Sequence, residues 1–434
     1  MQKNIFKDND PYRVSRVLYI IEAAIEYFIS ILFADSYLAK ITTAIGMSDS
    51  LIGVLSAFVS LGCGMQIVAI FLTGRDSVKR IVCAGTIITN ISFMVVYMTP
   101  FIPVENGTRS MILLVILLLA HLIKNIVHSP KMNWFMSLVD DSKRGVFTAN
   151  KEIISLIGGM VFTLAMGALI DMFELAGNLN GAFIACAFTV FVLSVVHILT
   201  LVFSKEKKIE EEKTESTEKS KKLPLKELFS NKNLLKVIIF SILWHIAHYA
   251  TTPFYGAYKN NVLGFTMLFN SVLSIAYSII RALCSRPLGR FADRKSFATM
   301  LIICFAIISL AFGINIFTVP SNGYVMFTIY YILFAVAMAG INSGTVNLVY
   351  DYVPHNQRVA ALALQNSIAG IIGFLTTTVV SLLVDYIQES GNVFLGMKVY
   401  APQVVSAIGF IMVIVTELYL VFVISKIKRE KESL

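Results

Sequence analysis

Twelve runs of mostly apolar residues divide the chain, at roughly 17–39, 50–72, 81–102, 111–132, 146–170, 181–203, 234–256, 264–284, 298–319, 324–349, 359–384 and 402–425. About 20 such residues in an α-helix cross the hydrocarbon of a bilayer. Lipid cannot satisfy an open backbone, so each run is expected to be helical. The breaks are short and carry Asn, Gly, Pro or charge, as at Pro100–Gly107 and Val319–Gly323. One break is different. Ser204 to Asn233 is long, mixed in charge and nearly free of aromatics. It is too polar to bury a core and reads as a disordered tether, although Leu223–Phe229 has the pattern of a short amphipathic helix. The pattern predicts an all-α integral membrane protein. Its parts are a six-helix bundle at 1–203, a charged cytoplasmic linker at 204–233 and a second six-helix bundle at 234–434.

The two halves carry the same pattern. Asn133, Arg144, Gly159, Asp171, Gly177 and Asn178 recur as Asn347, Arg358, Gly373, Asp385, Gly391 and Asn392, at an offset of 214 in all six cases. Gly74-Arg75 recurs as Gly289-Arg290 at offset 215. A repeat of half the chain in a hydrophobic protein implies pseudo-symmetric bundles. Many secondary transporters build a central solute site between such halves.

Composition agrees: 56% of residues are hydrophobic and only 15% charged, against roughly 25% charged in soluble domains. Mean hydropathy is +0.75. The net charge of +9 is not a nucleic-acid signal, because the excess is juxtamembrane. Lys3, Lys7, Arg13, Arg16, Arg75, Lys79, Arg80, Lys143, Arg144, Arg286, Arg290, Arg294, Lys295, Arg358 and the basic tail share one side. The opposite loops hold Lys40, Arg109, Lys259 and Lys398. This asymmetry places both termini in the cytoplasm and favours a plasma membrane, the inner membrane of a bacterium. No cleavable signal is read at Met1–Arg16, and the apolar run that follows is long enough to remain in a bilayer. The five cysteines lie in apolar runs without metal-ligand spacing.

The loop Gly289-Arg-Phe-Ala-Asp293-Arg294-Lys295 fits the G-x-x-x-D-[RK] signature of the major facilitator superfamily, with Ser296 where the signature has Gly. Arg144-Gly145 matches the family's R-G step after the fourth span. Its first-half counterpart, Gly74-Arg75-Asp76-Ser-Val-Lys79-Arg80, is shorter and degenerate. With the 6+6 pattern and the long central loop, nearly the whole chain resembles that superfamily. The resemblance implies a transporter, and it implies that these loops form a cytoplasmic gate of Gly74, Arg75, Asp140, Arg144, Gly289, Asp293, Arg294, Asp351 and Arg358. Physically, Asp293 is suited to the positive N-terminus of a neighbouring helix. Arg75 is placed to reach Asp140 or Asp141, and Arg290 or Arg294 to reach Asp351. The simpler alternative is that these charges only fix topology.

Ionisable groups at membrane depth are costly and are functional candidates by default. Glu22 and Glu26 share one face of the first span and are expected to bind a coupling proton jointly. The competing reading is a structural ion pair with Lys124. His121, Lys124, Asn125 and His128 form one stripe on the fourth span, and Trp244, His245 and His248 cluster on the seventh. With Tyr331 and Asn342 they are the expected cavity: Lys124, Asn125, His128, Trp244, His245, His248, Tyr331 and Asn342. The resemblance supports that choice, because spans 1, 4, 7 and 10 line the family's cavity. Aromatic faces with amides suit sugars or nucleosides; Lys124 and Arg281 suit an organic anion. Neither a metal site nor a cofactor is expected, since no three converging ligands stand out.

The expectation is therefore a secondary active transporter of a small polar solute (a sugar, nucleoside or organic anion). It would work by alternating access in symport with protons, with sodium as the other candidate ion, and as a monomer. Drug/proton antiport is an alternative, although the fifth span has Gly158-Gly159 and no proline. A non-transporting membrane sensor is another. An enzyme is not expected, because no H-E-x-x-H, G-x-S-x-G or P-loop pattern occurs.

Overall fold

The computed structural model describes residues 11–66, 78–140, 144–206, 225–353 and 357–427. Sixteen α-helices follow one another among them: α1 Arg13–Ile31, α2 Asp35–Ala44, α3 Asp49–Ser56, α4 Phe58–Gly64, α5 Val78–Met98, α6 Asn106–Met136, α7 Arg144–Leu175, α8 Leu179–Phe203, α9 Leu225–Ser230, α10 Lys232–Tyr249, α11 Tyr255–Ala257, α12 Met267–Arg294, α13 Phe297–Ile316, α14 Gly323–Tyr352, α15 Arg358–Glu389 and α16 Ala401–Tyr419. A two-residue hairpin, Val393–Phe394 against Met397–Lys398, is the only sheet among the described residues. Most helices overrun the apolar runs that announced them. Hydropathy marks only the stretch that meets hydrocarbon, whereas the backbone stays helical beyond it.

Among the described residues ten helices are long and apolar enough to cross a membrane, and the pair α1 and α2, bent by 46°, makes an eleventh when taken as one span. The run at 50–72 supplies the short apolar helix Asp49–Gly64, and its remainder, 67–72, lies outside the described residues. So does most of the 204–233 linker, of which α9 is the described helix. The break between α1 and α2 has a local cause: Asp35 adopts φ 48°. A break exposes carbonyls that lipid cannot satisfy, and the Tyr97 hydroxyl donates to the Leu32 carbonyl at 2.6 Å. Large apolar side chains such as Val161, Phe188 and Leu382 are more than 60% exposed, as lipid-facing surface should be.

The chain forms two compact units. The first comprises Met1–Met47, Met65–Glu218 and Thr266–Ser271. In it α1 packs on α7 and α8, and α5 on α6 and α8. Tyr19 stacks on Phe135 at 4.2 Å, and Trp134 on Phe135 at 4.5 Å, in a core with Val82, Phe147 and Leu201. The second comprises Ser48–Gly64, Lys219–Phe265 and Val272–Leu434. There α13 lies against α14 and α16, while α15 lies against α10, α3 and α4. Equivalent glycines of the repeat do equivalent work: Gly159 leaves room for the ring of Tyr27 and Gly373 for the ring of Tyr249. A Cβ at either position would collide with the tyrosine.

Candidate functional site

In the first unit α1 and α6 bring opposite charges together. Lys131 Nζ donates to Glu22 Oε1 and to Glu26 Oε2, at 2.6 Å each. Glu22 and Lys131 are buried. The spacing explains the convergence: Glu22 and Glu26 are four residues apart on α1, and Lys124, His128 and Lys131 fall on one stripe of α6. The expected partner, Lys124, is farther away, with Nζ 3.9 Å from Glu26 Oε1. Lys131 was missed because it follows Pro130 at the end of the fourth apolar run, where a lysine reads as an interfacial residue. The helix runs on to Met136 and so puts Lys131 at the depth of the carboxylates. A spacing of seven from Lys124 was the available signal.

His197 was also missed, lying deep in the sixth apolar run. Its Nε2 stands 2.9 Å from Glu22 Oε1, and its Nδ1 3.2 Å from Asn90 Nδ2. With the Asn90 amide donating to Nδ1, the imidazole is the Nε2–H tautomer and donates to the carboxylate. Thr86, Thr89 and Asn90 of α5 join Glu26, Lys124, Lys131 and His197 around a cavity of about 20 Å³. His128 interacts electrostatically with Glu26, whereas Asn125 spends its amide on the carbonyl of His121 at 2.9 Å. Chemically the cluster can exchange a proton among two carboxylates, a lysine and an imidazole, and each state changes the number of bridges between α1, α6 and α8.

In the second unit Trp244 packs against His248 and Phe305. His245 Nδ1 donates to the Ser241 carbonyl at 2.8 Å, and His248 Nε2 lies 3.3 Å from the Thr252 hydroxyl. The hydroxyl of Tyr331 accepts from the buried Lys259 at 2.9 Å. Asn342 instead faces a cavity of about 450 Å³ between α12 and α14, shared with Arg281, Ser285, Asp293 and Ser343. The guanidinium of Arg281 sits 5.6 Å from the centre of the Tyr277 ring, and Tyr277 in turn meets Tyr331 and Phe334 at 6.3 and 6.0 Å.

The gate residues are partly described. Gly74, Arg75 and Asp141 lie outside the described residues. Asp140 is exposed, and Arg144 begins α7. Gly289 and Asp293 line the 450 Å³ cavity, Arg294 is exposed and Asp351 half-buried. Arg358 turns back on α14, donating to the Val353 and Tyr350 carbonyls at 3.3 and 3.1 Å. The best-defined clasps lie at the other ends of the helices. Asp171, near the end of α7, accepts from the backbone N–H of Met267 and Leu268 at 2.8 and 2.7 Å, the first turn of α12. Its repeat mate Asp385, near the end of α15, accepts from Ser50 Oγ, in the first turn of α3. A carboxylate at a helix N-terminus is favourable twice over, through hydrogen bonds and through the helix dipole. Both aspartates stood in the repeat, but their partners were not legible from it.

Solved structures share this fold at low identity. The nucleoside transporter NupG matches at 15% identity with a TM-score of 0.70, covering 95% of this chain and 100% of its own. A D-xylose-proton symporter matches at 11% with a TM-score of 0.71, covering 94% and 97%. A POT family peptide transporter matches at 11% with a TM-score of 0.69, covering 97% and 98%. No curated protein matches at the sequence level. The family model of the Major Facilitator Superfamily matches residues 17–377. The protein is thus an integral, multi-pass membrane protein, and it belongs to the major facilitator superfamily of transporters.

Proposed function

We propose that this protein carries a small polar solute across the membrane by alternating access, in symport with protons. The observation that carries the reading is the buried cluster in which Lys131 bridges Glu22 and Glu26 at 2.6 Å each. A proton taken up by Glu26 cancels one of the two bridges from Lys131 and loosens α1 from α6. That change in the packing of α1 on α6 is the step by which a bound proton would act on transport. The family membership supports the class. Among the fold relatives, one is a nucleoside transporter and another a D-xylose-proton symporter. The same reading takes 1–203 and 234–434 as the two six-helix halves, 204–233 as their linker, both termini as cytoplasmic, and the basic loops as the cytoplasmic gate.

A purely structural ion pair is the second reading, and the short distances to Lys131 favour it. One experiment separates the two. Protein reconstituted in liposomes is offered labelled uridine, xylose and benzoate with and without an inward proton gradient. The gradient should drive accumulation of a solute by wild type. Glu26→Gln, which fixes the protonated form, should abolish accumulation above equilibrium while leaving exchange measurable. Full gradient-driven accumulation by Glu26→Gln would return the cluster to a structural role. The sidedness is read in the same vesicles: cysteines replacing Gly107 and Lys295 should react with an impermeant maleimide from opposite sides.

A further inference from the structure

The cavity of about 450 Å³ between α12 and α14 has the size of a site for a small organic molecule, on the order of 300–1,000 Å³. Its chemistry is asymmetric. Arg281 is the fifteenth residue of the 28-residue helix α12, so at 1.5 Å per residue it stands roughly 21 Å along the axis. That is about one turn inside the end of the apolar run 264–284, whereas Arg286, Arg290 and Arg294 follow beyond it, where basic residues anchor a helix at the interface. Among the described residues Arg281 has no carboxylate partner, and its guanidinium is packed on the face of Tyr277. The acidic residue on the cavity wall, Asp293, lies twelve positions further along α12, roughly 18 Å away along the axis. It does not neutralise Arg281. A cation one turn inside an apolar run, packed on an aromatic ring and lining an open cavity, lacks an anion. By contrast, the lysines of the first unit already stand beside Glu22 and Glu26.

Resting on the transport reading of the preceding section, we infer that this cavity binds a small organic anion. Its carboxylate or phosphate group takes the planar fork of Arg281 in two parallel hydrogen bonds. Its apolar body lies against Phe297, Met338 and Ala339 of the cavity wall, and Asn342 and Ser343 meet its polar substituents. An anion carried together with a proton crosses with one charge fewer, which suits a carrier whose other unit holds the carboxylates.

The test is binding to the purified, full-length protein, read by thermal shift and by titration calorimetry. The probes are benzoate, phenyl phosphate, uridine and xylose. Benzoate or phenyl phosphate should stabilise the wild type, and the stronger of the two identifies the anionic group. Arg281→Gln should weaken that binding roughly 10- to 100-fold, the scale of a lost charge-assisted bond. Arg281→Lys, which keeps the charge but not the fork, should fall between them and guards against misfolding of the first variant. The anion assignment is overturned if neither anion stabilises the wild type at millimolar concentration, if both variants bind the anion as the wild type does, or if uridine or xylose alone binds. Uridine or xylose accumulation by the liposomes would leave the transporter standing while this assignment falls. Anion binding without accumulation of any solute would do the reverse.

Discussion

Lys131 holds two carboxylates at once, and that decides what its loss should do. Removing one partner of a buried ion pair costs on the order of 3–5 kcal/mol, because the charge left behind is uncompensated. Lys131→Ala strands two such charges, with Lys124 at 3.9 Å from Glu26 as the remaining cation and His197 as a donor to Glu22 alone. We expect Lys131→Ala to lower the melting temperature markedly. Adding Glu26→Gln should recover part of the loss, since it removes one stranded charge. Melts of the wild type, the two single variants and the double variant give the coupling directly. Strictly additive effects would separate Glu26 from Lys131 and remove the central bridge of the cluster. The carboxylate pair itself was legible in the sequence because a spacing of four fixes a helix face. Its partners were not, because the depth of a residue on one helix relative to another depends on where each helix ends, and α6 ends four residues beyond its apolar run.

At the scale of whole elements, the repeat is best seen where helices end. Asp171 and Asp385 occupy equivalent places at the ends of α7 and α15, and each is followed by a glycine with positive φ, Gly177 at 68° and Gly391 at 71°. Each aspartate reaches the first turn of a helix from the other half of the sequence, α12 or α3. Asp171→Asn keeps the shape but removes the charge, a loss of roughly 0.5–2 kcal/mol at a helix N-terminus. The first turn of α12 should then open more often. Its exposure is read with a cysteine in place of the buried Met267, which should react several-fold faster with maleimide in the Asp171→Asn background. A cysteine replacing the buried Ile52 reports in the same way on Asp385→Asn. Unchanged rates in both would mean that the two contacts are ornamental. The existence of this pair was legible as an offset of 214. Which helix each aspartate would hold was not, since a repeat gives equivalence and no contacts.

Across the molecule, hydropathy gave the order of the membrane helices: ten of its twelve runs coincide with long apolar helices among the described residues, and the first with the bent pair α1 and α2. The first span is bent at Asp35, and the described part of the second is the short apolar stretch Asp49–Gly64; both carry polar or glycine positions inside apolar runs that a window average smooths over. The bridged carboxylates also bear on how such a chain is made. Glu22 and Lys131 are 109 residues apart, so during synthesis Glu22 and Glu26 leave the ribosome well before the lysine that bridges them. At about 5–20 residues per second, that interval lasts roughly 5–20 s. An unpaired carboxylate at the centre of an inserting helix costs roughly 2.5–3.5 kcal/mol, so α1 should be slow to leave the insertion machinery until α6 follows it. A chain truncated after Arg109 should therefore be extracted from membranes by alkali more readily than one truncated after Val139, and Glu22→Gln with Glu26→Gln should erase the difference. Equal extraction of the two truncated chains would show that α1 partitions into lipid unaided. On this account Lys131 is the signal that releases the first span into the bilayer.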